Sequence, residues 1–166
     1  MQKVDVNQLR QIAKVIILSY LKDQKNLNDK ELIRVEDILD IFPVETIQRQ
    51  KGSAISGLCD DKKITFELSD EYSYGDYIVT LIHEFFHKIS KTKLNDKIMF
   101  VEEGIVSFAT AEAISNILKK EDTEFLNLFE KIVDDPKSLK KTISETSLRN
   151  RLYKRIFSYK MQPYNT

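Results

Sequence analysis

His83-Glu84-Phe85-Phe86-His87 brings together the only two histidines of the chain, four residues apart, with a glutamate directly after the first. On an α-helix, residues four apart stand one turn above each other on the same face, so both imidazoles can reach one cation. Glu84 then occupies an adjoining face. From there its carboxylate can approach a metal-bound water without being a ligand, which is the arrangement a metal-dependent hydrolase needs. The H-E-x-x-H pattern is short and also arises by chance in helices, where its histidines form a surface pair. Here it sits among Ile78, Ile82, Phe85, Phe86 and Ile89, the buried side of a predicted helix, with Phe85 and Phe86 expected in the core rather than in a substrate pocket.

Two imidazoles do not complete a catalytic zinc site; a third protein ligand is needed, with solvent in the fourth position. The chain has no further histidine, and its single cysteine, Cys59, excludes both an intramolecular disulfide and cysteine-rich ligation. A carboxylate must therefore serve. Phe100-Val101-Glu102-Glu103-Gly104-Ile105 sets a pair of acids in an apolar run, where a carboxylate is costly to bury unless a cation compensates it. A helix predicted from about Lys97 to Leu118 would pack through Val101, Ile105, Phe108 and Ala109. Gly104 would let it approach a neighbour closely. This leans toward Glu103 and leaves Glu102 open.

From about Gly57 to Ala113 the chain resembles the gluzincin group of zinc metallopeptidases, in which an H-E-x-x-H helix is followed by a second helix with a glutamate just before Gly or Ala. The short gap between His87 and Glu103 and the small size of the chain are most similar to the compact minigluzincins. The resemblance implies Zn2+ held by His83, His87 and Glu103, with Glu84 as general base in an endopeptidase rather than an exopeptidase. It also implies that Ile64–Leu68 is an edge strand along which an extended peptide pairs by its backbone. Thermolysin-like members carry an acid four residues beyond the ligand glutamate; this chain has Ser107. With no histidine outside the motif, a tyrosine is the expected oxyanion donor, and Tyr72, Tyr74, Tyr77, Tyr153 and Tyr159 are the candidates. Two alternatives accompany this reading. One is a latent module that binds zinc without hydrolysis; the other is a mobile-element peptidase that cleaves a repressor, since phage antirepressor peptidases share a similar strand, motif helix and acidic helix.

The elements that must position these residues are legible from periodicity. Leu9, Ile12, Ala13, Ile16, Ile17, Tyr20 and Leu21 predict an amphipathic helix from about Asp5 to Lys22. Asn28 with Glu31 resembles a capping box opening a second helix through Leu32, Val35, Ile38, Leu39 and Phe42, which Pro43 stops. Strands are expected over Ala54–Cys59 and Lys63–Leu68, joined by a turn at Asp60-Asp61. The motif helix begins at Ser73 or at Gly75-Asp76. Further helices are expected around Phe125–Ile132, before Pro136, and around Leu148–Tyr159. The fold class is therefore α+β, zincin-like, with a small sheet whose edge strand lies over the active site and a mostly helical remainder. One domain over 1–166 is expected, with a helical part at 1–45, a strand and zinc-site core at 46–120 and a helical part at 121–166.

Lys plus Arg equals Asp plus Glu at 26 each, so no excess of positive charge points to nucleic acid. The lysines from Lys88 to Lys97 and from Lys137 to Lys141 read as solvated surface, and Cys59 as a small buried strand residue rather than a latency switch. The longest apolar run near the N-terminus, Val15-Ile16-Ile17-Leu18, is too short for a membrane span or a signal-peptide core. A cytoplasmic protein acting on a peptide or protein substrate, away from membranes, is the expectation.

Overall fold

Helix α1 spans Val6–Lys25. It starts where the Asp5 carboxylate accepts hydrogen bonds from the backbone N–H groups of Asn7 (2.9 Å) and Gln8 (3.3 Å). It ends at Asn26, whose left-handed backbone (φ 52°) lets its N–H close back onto Leu21 O. All seven residues of the expected apolar stripe are buried. Helix α2, Asp29–Ile41, opens with the expected capping box: Glu31 N–H donates to Asn28 Oδ1 (2.9 Å) and Asn28 N–H to Glu31 Oε1 (3.0 Å). Arg10 donates to Leu39 O (2.7 Å) and Lys14 pairs with Asp40 (3.0 Å), fastening α2 to α1. The computed structural model describes residues 4–50, 57–72, 74–92 and 103–120. Ala54 and its neighbours to residue 56, Glu102, the helices expected around Phe125–Ile132 and Leu148–Tyr159, and Tyr153 and Tyr159 lie outside the described residues.

Three strands follow: β1 (Val44–Gln48), β2 (Gly57–Cys59) and β3 (Ile64–Leu68). They form a mixed sheet in the order β1-β3-β2, with β1 parallel and β2 antiparallel to β3. The β2–β3 turn falls where expected. Asp60 Oδ1 accepts from the backbone N–H of Lys62 (2.8 Å) and Lys63 (2.9 Å), an Asx-type closure that also holds the Asp60 carboxyl below its ordinary pKa.

The sheet corrects two expectations. Strand β1 is additional: Val-Glu-Thr-Ile-Gln does not alternate cleanly, and it becomes a strand by pairing Val44 with Ile64 through to Gln48 with Leu68, a non-local ladder. Because β1 takes one side of β3, Ile64–Leu68 is the central strand and not the edge. Among the described residues, the outer strand that packs on α3 is β2.

Helix α3, Tyr74–Lys91, carries the motif, and α4 spans Glu103–Lys120. Phe66 and Ile64 from the sheet, Tyr20 and Ile16 from α1, and Ile82, Phe85 and Phe86 from α3 are fully buried in one core. The Tyr20 and Phe86 rings meet edge to face at 5.9 Å between centroids. The α4 packing face keeps the expected Ala109 but differs from the expected one at Ile105 and Phe108. Val106, Ala109, Ala113, Ile114 and Ile117 are buried, whereas Ile105 and Phe108 are exposed. Helix α4 has apolar residues on most of its sides, so the periodicity of its sequence could not select which side packs; contact with α1 and α3 does. The architecture is thus α+β and mostly helical among the described residues, and no helix there is long and apolar enough to cross a membrane.

Candidate metal centre

Helix α3 is buried on most of its circumference, with α1, α2, α4 and the sheet packed around it. A helix so placed needs a broad apolar face, and the motif is set into that of α3, whose charged residues Asp76, Lys88 and Lys91 lie in its first and last turns. His83 and Glu84 are 4% and 6% exposed, so two ionisable groups have been taken out of water in the middle of an apolar helix. Such burial is unfavourable unless the groups are compensated by partners or by a cation. His87, one turn on, is half-buried and marks the side on which the group approaches solvent.

The two imidazoles face each other through Nε2, 3.2 Å apart, with ring centroids at 4.8 Å and planes at 71°. Two nitrogens held by one tetrahedral zinc at about 2.0–2.1 Å lie roughly 3.3–3.4 Å apart, so the pair already has the spacing of one edge of that tetrahedron. The same spacing suits a hydrogen bond between neutral rings; the carboxylate beside them is what points to a cation. Ligand-type atoms of His83, Glu84 and His87 all lie within 4.8 Å of one another. These three residues can hold a metal ion.

The expected third ligand is only partly in view. Glu103 is the first residue of α4, and nothing is described of its side chain. Positions 107, 110 and 114, which share the side of the helix on which position 103 falls, are buried. Thr110 satisfies its hydroxyl on Val106 O (2.8 Å). Ser107, 3% exposed, has no hydrogen-bond partner for its Oγ among the described residues.

Gly57 of β2 is a participant to which the sequence analysis assigned no role. A Cβ at this position would lie 2.6 Å from Thr80 Cγ2, 3.2 Å from Glu84 Cγ and 3.4 Å from Glu84 Oε2. The edge strand therefore rests its bare backbone on the α3 face that carries Glu84. A glycine inside a strand is itself a signal of close approach, and it was available in the sequence. Next to it, Cys59 packs half-buried against the core, and burial pushes its thiol up to about 11, against the opposing pull of Lys91.

Two of the tyrosine candidates are engaged elsewhere. The buried Tyr77 hydroxyl donates to Ser69 O (2.9 Å) and accepts from Ser69 N–H (3.1 Å), pinning the loop ahead of α3. Tyr72 stands edge-on to Tyr77 and takes a hydrogen bond from Arg49. Nothing is described of the Tyr74 side chain.

Comparison with protein-family models, with curated proteins and with solved structures finds no match to this chain, so the reading of the site rests on its own geometry.

Proposed function

We propose that the protein is a zinc-dependent endopeptidase of gluzincin type, with a zincin-like fold closest to the minigluzincins, holding Zn2+ through His83, His87 and Glu103. The observation that carries this reading is the pair of Nε2 atoms 3.2 Å apart beside a buried carboxylate. Bound zinc supplies a Lewis acid that polarises a carbonyl and acidifies water. Glu84 acts as general base. Its carboxylate accepts the proton of the attacking water and returns it to the leaving nitrogen, which a group confined beside the imidazoles and shielded from bulk water can do without changing place. The register of α4 supports Glu103 as third ligand, since the positions one, two and three turns beyond it are buried. Strand β2 supports a peptide substrate. It is the outer strand on the motif-helix side of the sheet, and its backbone at Gly57 lies against Glu84, so an extended chain paired with β2 would run past that carboxylate.

Substitution tests the scheme. Glu84→Gln should bind zinc with near wild-type stoichiometry and lose peptide hydrolysis by at least about a thousandfold. His87→Ala should lose the zinc itself, measured by metal analysis after dialysis. A Glu84→Gln protein that still turns over a peptide library sinks the general-base role, and a His87→Ala protein that retains zinc sinks the site. Wild-type protein that binds zinc and cleaves nothing in the library would instead support a zinc-binding module without hydrolysis.

A further inference from the structure

We propose that Lys91 is a specificity-determining residue: its ammonium group selects an acidic side chain in the extended peptide that pairs with β2, about two or three residues to one side of the bond to be cut. The inference rests on the endopeptidase reading above and names the substrate class of that same site.

The placement starts from the face of α3 that lies under β2. Gly57 marks that face, because a Cβ there would lie 2.6 Å from Thr80 Cγ2 and 3.2 Å from Glu84 Cγ. At about 100° per residue, Thr80, Glu84, Lys88 and Lys91 fall within about 80° of the helix circumference, with Lys91 between the directions of Thr80 and Glu84. The face that meets Gly57 at Glu84 therefore continues to Lys91, about 10 Å further along the axis. Strand β2 advances the same way. Two residues beyond Gly57, about 7 Å along the strand, Lys91 is the strongest charge acting on the Cys59 thiol, ahead of Glu84, Lys88 and Asp60.

The two lysines of this face differ in what they do. Lys88 is half-buried and lays its ammonium group over the Phe42 ring, 4.5 Å from the centroid. Lys91 is exposed, and among the described residues no carboxylate pairs with it. Asp60, the acid at this end of β2, is folded into its own turn by the N–H groups of Lys62 (2.8 Å) and Lys63 (2.9 Å). On the side of β2 away from β3, no strand pairs with it among the described residues. A peptide added at that edge turns every second side chain toward α3. With its scissile bond beside Glu84, the same peptide passes Cys59 within two or three residues, where a carboxylate meets the Lys91 ammonium group rather than another acid.

The competing account is a lysine that only compensates the carbonyl end of α3, as basic residues in a last turn ordinarily do. That account predicts a lower melting temperature for Lys91→Ala and no change in peptide preference. The test scans a position-varied peptide library with zinc-loaded wild type, Lys91→Ala, Lys91→Arg and Lys91→Glu. Wild type should favour Glu over Gln at one flank of the cleaved bond by up to about fivefold in kcat/KM, the yield of an exposed charge pair. Lys91→Arg should keep the preference, Lys91→Ala should lose it, and Lys91→Glu should turn it toward Lys. Raised salt should flatten it in wild type while cleavage of the Gln peptides holds. Fluorescence anisotropy with labelled Glu and Gln pools of the same library should give the same order in Kd for Glu84→Gln, and no order for Glu84→Gln combined with Lys91→Ala. Equal treatment of Glu and Gln by a wild type that cleaves, or a preference that survives Lys91→Ala, would overturn this proposal alone. A Lys91-dependent preference in Kd without any cleavage by wild type would overturn the endopeptidase reading and uphold Lys91 as the peptide-selecting group. Wild-type protein that neither binds nor cleaves the library would overturn both.

Discussion

At the scale of single residues, Gly57 and Cys59 show how strand β2 constrains the site. A methyl group at 57 would sit 2.6 Å from Thr80 Cγ2, closer than non-bonded carbons can approach, and Thr80 lies on the helix turn preceding Glu84. Gly57→Ala should therefore lift β2 from α3. We expect a loss of about 1–3 kcal/mol in stability by denaturant titration, as overpacking typically causes. On the proposed function, peptide turnover of zinc-loaded protein should fall with zinc affinity little changed, because the proposed ligands sit on the helices. Cys59, with burial holding its thiol near 11, exposes almost no thiolate at neutral pH. Alkylation by iodoacetamide at pH 8, followed by mass spectrometry, should run on the order of a hundredfold slower than for an unhindered thiol, and should accelerate as the pH is raised toward that value.

At the scale of elements, the helices were more legible than the sheet, for reasons that lie in particular residues. The α1 stripe from Leu9 to Leu21 repeats with one helical period and is bounded by Asp5 and Asn26, so local forces alone define the helix. Asn28 and Glu31 define the start of α2 in the same way. Asn28→Ala should remove one half of the capping box and lower stability by about 1 kcal/mol, seen as a lower denaturant midpoint with an unchanged slope. Strand β1 had no comparable local cause. Its five residues are held by pairing with Ile64–Leu68, and nothing in Val-Glu-Thr-Ile-Gln announces that partner. The same holds for α4. Ile105 and Phe108 are as apolar as Val106 and Ala109, and only the arrival of α1 and α3 decided which pair is covered.

At the scale of the whole molecule, α4 is held to the N-terminal helix by a polar seam more than ninety residues distant in sequence. Asp23 accepts from Asn116 (3.1 Å) and pairs with Lys120 (2.9 Å), while Lys120 also reaches Ser19 (2.9 Å). Burial pulls the Asp23 carboxyl upward, but hydrogen bonds from Lys120, Asn116 and Ser19 and the Lys120 charge outweigh it and leave the group below its ordinary value. A carboxyl whose pKa is depressed on folding contributes stability above the unfolded value of about 3.9 and loses it as pH falls through the folded one. Asp23→Asn should accordingly melt below wild type at pH 7, and the gap between the two proteins should close on acidification toward about pH 3. Because α4 also packs on α3, this seam is part of what holds α4 in place beside the motif helix.

The sequence by itself determined that His83, Glu84 and His87 share one stretch of helix, since four-residue spacing becomes a common face through the local geometry of the backbone alone. It also determined the caps and apolar stripes of α1 and α2, each written within one turn of the residues it governs. Only the tertiary structure decided that the motif is buried, that the 3.2 Å imidazole pair lies beside a carboxylate shut away from water, and that β2 rather than β3 is the strand laid over it. Strand order and the covered face of a helix are set by contacts between segments far apart along the chain, and those contacts are chosen by how all the apolar faces can be buried at once.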